Sequence, residues 1–438
     1  LELLGEFKGS GYTQPPSLVR RRDGQVIQMS LLLYEVTSKI DGSRDMTQIA
    51  VAVSEHLGRS LDAAQVRHLI TTKLQPLGII AAEGGPAVPP RANPLLALRA
   101  RGTLLPEGAA NLVGVLLRPL FRPVTVAAVV ASVIAVDCWL FRAHGVSIGL
   151  QQMLRDPADL LIVAGLSVVS AAFHECGHAA GCRYSGARPG VIGFGIYLVW
   201  PSFYTNVTDA YRLSRAGRLR TDLGGLYFNL IFILAMAALY ATTSAGVLLV
   251  VIAVTHLEML EQLLPFVRFD GYFVLTDLTG VPDLFARIVP ILRTAVRTGR
   301  QDPRVAGLRR RARLLVTGWV LCVTPLVAAM LAYLVLRLPQ LNRALWLSSS
   351  RQARLMSAAA TGHHLTIAAV DAIGVALLAL SAAGTLYIAV GLARRLTALG
   401  LRWSARRPAR RGAVIVAGLG CLAMLVAYWC SRGELAGW

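Results

Sequence analysis

The chain has 438 residues, 55% of them hydrophobic and only 16% charged, a balance outside the range of soluble globular proteins. Lysine and arginine number 44 against 24 acidic residues, a net charge of +20, but the arginines gather in runs beside long apolar stretches. That distribution suits cytoplasmic loops lying against anionic lipid headgroups and argues against a nucleic-acid partner.

Residues 1–85 are polar enough to form a small soluble unit, expected to be an α+β domain of winged-helix type on the cytoplasmic side. In SLVRRRDGQVIQMS (17–30) the Asp23-Gly24 pair separates two β-prone runs, the pattern of a hairpin. Helices are expected over 31–42, 46–56 and 60–77, the last capped at Ser60 and closed near Pro76 and Gly78. Residues 86–110, rich in Pro, Gly and Ala, read as a linker.

From there the chain reads as a mainly α, polytopic membrane protein. Apolar segments near or above the roughly 20 residues that cross a bilayer fall at 123–142, 159–182, 222–243, 245–263, 314–337, 365–392 and 412–430, about seven spans. No apolar segment precedes residue 105, so these spans are expected to be retained rather than cleaved as a signal. Arginine is densest at 212–220, 287–313 and 394–411, after the second, fourth and sixth spans. The positive-inside rule then places the N-terminus in the cytoplasm and the C-terminus outside. The six cysteines show no CxxC spacing and mostly occupy apolar segments, so no disulfide framework is expected.

The second span ends in AAFHECGHAAGCRY, which holds His174-Glu175-Cys176-Gly177-His178. On a helix, positions i and i+4 share a face, so both imidazoles can reach one zinc ion while Glu175 stands beside it as general base. The alternative, two buried histidines satisfied by backbone groups, is costly for three ionisable side chains within one turn of an apolar span. A catalytic zinc takes three protein ligands and keeps one open position. Residue chemistry alone leaves Asp270, in LLPFVRFDGYFVLTD, level with His256, Glu258 and Glu261 as the third.

The order HExxH, GxxxN, then a proline followed by Asp-Gly resembles the site-2 protease family of intramembrane zinc metalloproteases. Gly225 to Asn229 matches GxxxN, and Gln262 to Gly271 (QLLPFVRFDG) matches the family's NxxPxxxxDG with Gln262 in place of the first Asn. The resemblance implies that Asp270 is the third ligand, after His174 and His178, and that Asn229 and Gln262 are polar contacts for substrate or transition state. PSFYTNVTDAYRL with RFDGYFVLTDL is similar to a bacterial branch of peptide zinc metalloproteases. It implies a catalytic membrane core over 111–285, followed by a basic loop and accessory helices over 286–438, in a bacterial-type inner membrane. The hairpin-plus-helices order of residues 1–85 resembles the PqqD-like peptide-recognition domain. That implies an edge at Gln25, Val26, Ile27 and Gln28 able to take the leader of a ribosomally made precursor peptide.

The expected activity is zinc-dependent cleavage of a peptide or single-span membrane protein near the cytoplasmic face, where the second and fourth spans both end. The apolar run Gly190–Tyr204 is expected to be a re-entrant or interfacial segment that shapes access. The competing reading is a membrane scaffold or exporter that binds peptides without cutting them. With every candidate catalytic group after residue 170, recognition and chemistry are expected to be separable.

Overall fold

Short apolar strands build the first sheet: β1 (Glu2–Glu6), β2 (Ser17–Arg20) and β3 (Val26–Met29), antiparallel and in that order. The computed structural model describes residues 1–21, 25–80, 99–143, 158–197, 200–265, 267–296 and 302–337, with isolated residues between 339 and 431. β2 and β3 are the arms of the expected hairpin, paired from Ser17–Met29 to Arg20–Val26, while its Asp23-Gly24 turn lies outside the described residues. Three helices pack on the sheet: α1 (Leu31–Lys39), α2 (Met46–Leu57) and α3 (Ala63–Leu69), the last continued by a wider turn over Ile70–Leu74. Asp45 with Gln48 and Asp62 with Gln65 form reciprocal capping boxes that satisfy orphan donors of α2 and α3. The third helix therefore starts behind Asp62 and not at Ser60, because the carboxylate is the acceptor whose Gln partner stands three residues on. Val19, Val36, Val53, Val66 and Leu74 form the core of this unit.

The chain continues as β4 (Arg99–Leu105), α4 (Glu107–Leu117), α5 (Pro123–Ala143), α6 (Ala158–Tyr184), β5 (Ile192–Tyr197) and β6 (Trp200–Thr205). Then come α7 (Arg215–Asp222), α8 (Gly224–Thr243), α9 (Val247–Leu263), α10 (Asp270–Thr279), α11 (Phe285–Val296) and α12 (Arg310–Leu336). β4 falls inside the stretch read as a linker. Its partner β5 is remote in sequence, so local composition carries no sign of the pairing. The run from Gly190 to Tyr204 folds as the β5–β6 hairpin, giving a second antiparallel sheet in the order β4-β5-β6.

Among the described residues four helices, α5, α6, α8 and α12, are long and apolar enough to cross a membrane. The fourth expected span is α9, which has 17 residues, at the short end of the crossing range, and carries His256, Glu258, Glu261 and Gln262, so it is not among these four. The segments 365–392 and 412–430 lie largely outside the described residues. α6 and α8 cross in close contact because glycines face each other. A Cβ on Gly177 would overlap the Gly224 carbonyl, and one on Gly224 would overlap the Gly177 carbonyl.

The first residues do not stay within the N-terminal unit. Between β1 and β2 the chain leaves the sheet, and Gly11 N–H donates to the Gly280 carbonyl at 2.9 Å while Arg309 N–H donates to the Gly11 carbonyl at 2.7 Å. The N-terminal unit is thus tied into the helical core by its own backbone.

Candidate metal centre

α6 places His174 and His178 one turn apart on its buried face, with Nε2 atoms 3.1 Å from each other. Two neutral imidazole nitrogens meet at that distance only with a shared proton or a cation between them. His178 Nδ1 lies 2.8 Å from the Thr221 carbonyl, which can only accept, so Nδ1 carries the hydrogen and Nε2 presents its lone pair to the centre. Asp270, the first residue of α10, faces both rings: Oδ2 is 3.0 Å from His174 Nε2 and Oδ1 is 3.5 Å from His178 Nε2. Two nitrogen donors and a carboxylate converging from two elements fit a tetrahedral zinc with one position left open.

Glu175 projects beside this group, one of its carboxylate oxygens lying within 4.8 Å of a ring nitrogen of each imidazole. The Thr205 hydroxyl is 2.7 Å from Glu175 Oε2 and 2.9 Å from the Glu175 carbonyl. The end of β6 thus fixes the carboxylate against the helix that bears it. Gly225 on α8 is the condition for this packing, because a Cβ there would overlap the His174 ring. GxxxN therefore has a steric role at its glycine. Asn229, one turn on, is buried with its Oδ1 lacking a hydrogen-bond partner and does not line the cavity beside the centre.

That cavity measures about 360 Å³ and runs from His174, Glu175, His178 and Asp270 past Gln262 and Phe269 to a polar end formed by Arg218, Asp222 and Asp277. One wall is Ser202 to Thr205 of β6, the edge strand of its sheet. The three rivals for the third ligand are elsewhere. His256 faces Asp137 of α5 at 3.3 Å, Glu258 bonds Ser167 of α6, and Glu261 is exposed. Gln25, Val26, Ile27 and Gln28 are on or next to β3, an edge of the first sheet, and Gln25 Oε1 accepts from Arg21 at 2.6 Å.

The chain is 26% identical over 117 residues to the Bacillus subtilis (strain 168) protein named "Putative peptide zinc metalloprotease protein YydH". The aligned stretch is 26% of this chain and 46% of that protein, so the chain spans about half of the relative it matches. No family model and no solved structure matches the chain. This similarity and the His-Glu-His cluster agree on a metalloprotease-like centre in a protein that has four membrane-length helices among its described residues.

Sequence reasoning did not single out Thr205, Thr221, Arg218, Asp222 or Asp277. The signal for Asp277 was nonetheless available, since it lies seven residues after Asp270 and so two turns along the same helix face. Arg218 is 2% exposed and its Nε donates to Asp277 Oδ1 at 2.7 Å. Burial and then the Asp277 carboxylate push the Asp222 carboxyl well up, and burial raises Asp277 against the pull of Arg218. The pair favours holding one proton between two carboxyls, which leaves a single negative charge for Arg218 to balance.

Proposed function

We propose that this chain is a membrane zinc metalloendopeptidase of site-2 protease type, cutting a membrane-associated or ribosomally made precursor peptide near the cytoplasmic face. The observation that carries the reading is the meeting of His174, His178 and Asp270 around one point, with Glu175 beside it, in a cavity bounded by a strand edge. His174, His178 and Asp270 would hold the zinc. When bound there, zinc supplies a water of near-neutral pKa and polarises the scissile carbonyl.

The remaining work belongs to the chain. Glu175, held by the Thr205 hydroxyl, takes the proton of the attacking water and passes it to the leaving amine. Gln262 lines the cavity and offers an amide N–H to the oxygen that gains negative charge, the role its family position implies. The free edge of β6 accepts the substrate as an added strand, which keeps the scissile bond extended and reachable. The β3 edge at Gln25 to Gln28 holds a leader segment away from the centre. The protein sits in a bacterial-type inner membrane with its N-terminus in the cytoplasm and its C-terminus outside.

The experiment is cleavage of a candidate precursor peptide by the purified protein in lipid, with wild type compared to Glu175→Gln. Cleavage by wild type and a silent, zinc-loaded variant is the expected result. A variant that cuts as fast as wild type refutes the assignment of Glu175.

A further inference from the structure

The helix that delivers Asp270 is gripped at its far end by the first residues of the chain. α10 runs about 15 Å from Asp270 to Thr279 and stops at Gly280, whose φ of +67° is the left-handed conformation that glycine adopts freely. The N-terminal segment crosses there on bare backbone. A Cβ on Gly280 would overlap Gly11 N and the Gly9 carbonyl, and a Cβ on Gly11 would overlap the Thr279 carbonyl. Gly11 N–H donates to the Gly280 carbonyl at 2.9 Å.

A second link reaches the last turn of the helix, at Asp277. Arg218 joins three elements: its Nε donates to Asp277 Oδ1 of α10 at 2.7 Å, and its Nη1 donates to the Leu213 carbonyl at 2.9 Å and to the Lys8 carbonyl at 3.0 Å. Its guanidinium carbon lies 4.4 Å from the centre of the Phe7 ring, and Phe7 is 1% exposed. Arg215, on the same helix, donates to the Gly9 carbonyl at 2.7 Å. A buried guanidinium stacked on an aromatic ring, with Nε and Nη1 engaged and Nη2 left without a partner, is a stiff connection. α7 also bears Thr221, whose carbonyl fixes the His178 tautomer.

We propose that residues Phe7 to Gly11, through Arg218 and Asp277, hold α10 in the position that brings Asp270 to the two imidazoles. The N-terminal segment is then a built part of the metal centre, and Arg218 and Asp277 are positioning residues. This inference rests on the reading of His174, His178 and Asp270 as the zinc ligands.

The test is zinc affinity of the full-length protein in lipid, read by competition with a chelator, so that catalysis is not needed. Phe7→Ala and Asp277→Asn should each weaken zinc binding about tenfold, the lower end of what supporting contacts contribute to a metal site. Arg218→Lys should fall between wild type and Arg218→Ala. The deciding measurement repeats Phe7→Ala in an Asp270→Ala background, where positioning Asp270 no longer matters and no further loss should appear. Equal losses in both backgrounds would mean general destabilisation, and wild-type affinity in Phe7→Ala and Asp277→Asn would mean no link; either result overturns the proposal. If Phe7→Ala does not fold, Phe7→Leu keeps the apolar bulk, removes the ring face and reads the same coupling. Unchanged affinity in Asp270→Ala alone is a different failure, because it refutes the ligand set and with it this inference.

Discussion

Asp270 and Asp277 stand two turns apart on one helix, the first facing a pair of imidazoles and the second facing the Arg218 guanidinium. The same residue type is thus used once toward a metal centre and once toward a structural cation, and the difference lies in what the neighbouring elements bring. The candidate metal centre gathers two imidazole nitrogens and a carboxylate, a donor set that a cation from outside would fit. The Arg218 end carries its own.

The first expectation concerns stoichiometry. The purified protein should hold about one zinc per chain, and Asp270→Ala should lose most of it, since two imidazoles on one helix leave the coordination shell open on the side that Asp270 closes. Glu258→Ala and Glu261→Ala should retain zinc, because Glu258 is engaged with Ser167 and Glu261 is exposed. Metal analysis of the three variants checks this, and loss confined to either glutamate variant would move the third ligand into α9.

The Thr205 hydroxyl gives a graded test of the general base. Thr205→Val keeps the shape of the side chain and removes a hydrogen bond to a carboxylate, a contact worth about 1.5–3 kcal/mol. If that contact serves to aim Glu175, the loss should appear as roughly a 10- to 100-fold fall in kcat with KM little changed. A fall in zinc content instead would show that Thr205 supports the site and not the proton transfer.

How far the sequence reveals these features depends on distance along the chain. His174, Glu175 and His178 fall within one helical turn, so their meeting follows from periodicity alone. Asp270 comes from another element, and residue chemistry could not separate it from His256, Glu258 and Glu261; only the family resemblance did. β4 and β5 pair across α4, α5 and α6, which no local pattern records. Arg218 looks like one of many cytoplasmic arginines in 212–220, because the Phe7 ring and Asp277 carboxylate that bury it belong to opposite ends of the described core.

The Asp222–Asp277 pair predicts a pH dependence of stability. Asp222 has its pKa raised in the folded protein by burial and by Asp277, so the native state binds a proton that the unfolded chain has released. Stability from this source is fully present below the unfolded carboxylate pKa of about 4 and is lost as pH rises through the raised folded value. Asp222→Asn mimics the protonated acid. Its thermal midpoint should therefore change less with rising pH than that of wild type and lie above it at the alkaline end. Parallel curves for the two proteins would show that Asp222 is not the group that titrates.

The alternation of arginine-rich loops predicts a topology. Reporter fusions at Gly85 and Trp438 should report opposite compartments, cytoplasm for the first and outside for the second. The same compartment at both points would require an even number of crossings. The shortness of α9, at 17 residues, makes it the first place to look for the missing one.

Capture of a leader peptide by the β3 edge should be separable from chemistry, although not by deleting residues 1–85. That deletion also removes Phe7 to Gly11, which touch Arg218 and Gly280, so it should lower zinc affinity as well as substrate affinity. A cleaner cut is made on the strand itself. Amide groups alternate sides along a strand, so of Ile27→Pro and Gln28→Pro one breaks the pairing with β2 and the other removes a donor from the free edge. The less destabilising of the two is the edge variant. It should bind zinc as wild type does, keep kcat, and need a higher concentration of a leader-bearing peptide to reach half-maximal rate, while a peptide lacking the leader is cut equally by both. If the edge variant and wild type show the same KM for the leader-bearing peptide, β3 is not the capture surface.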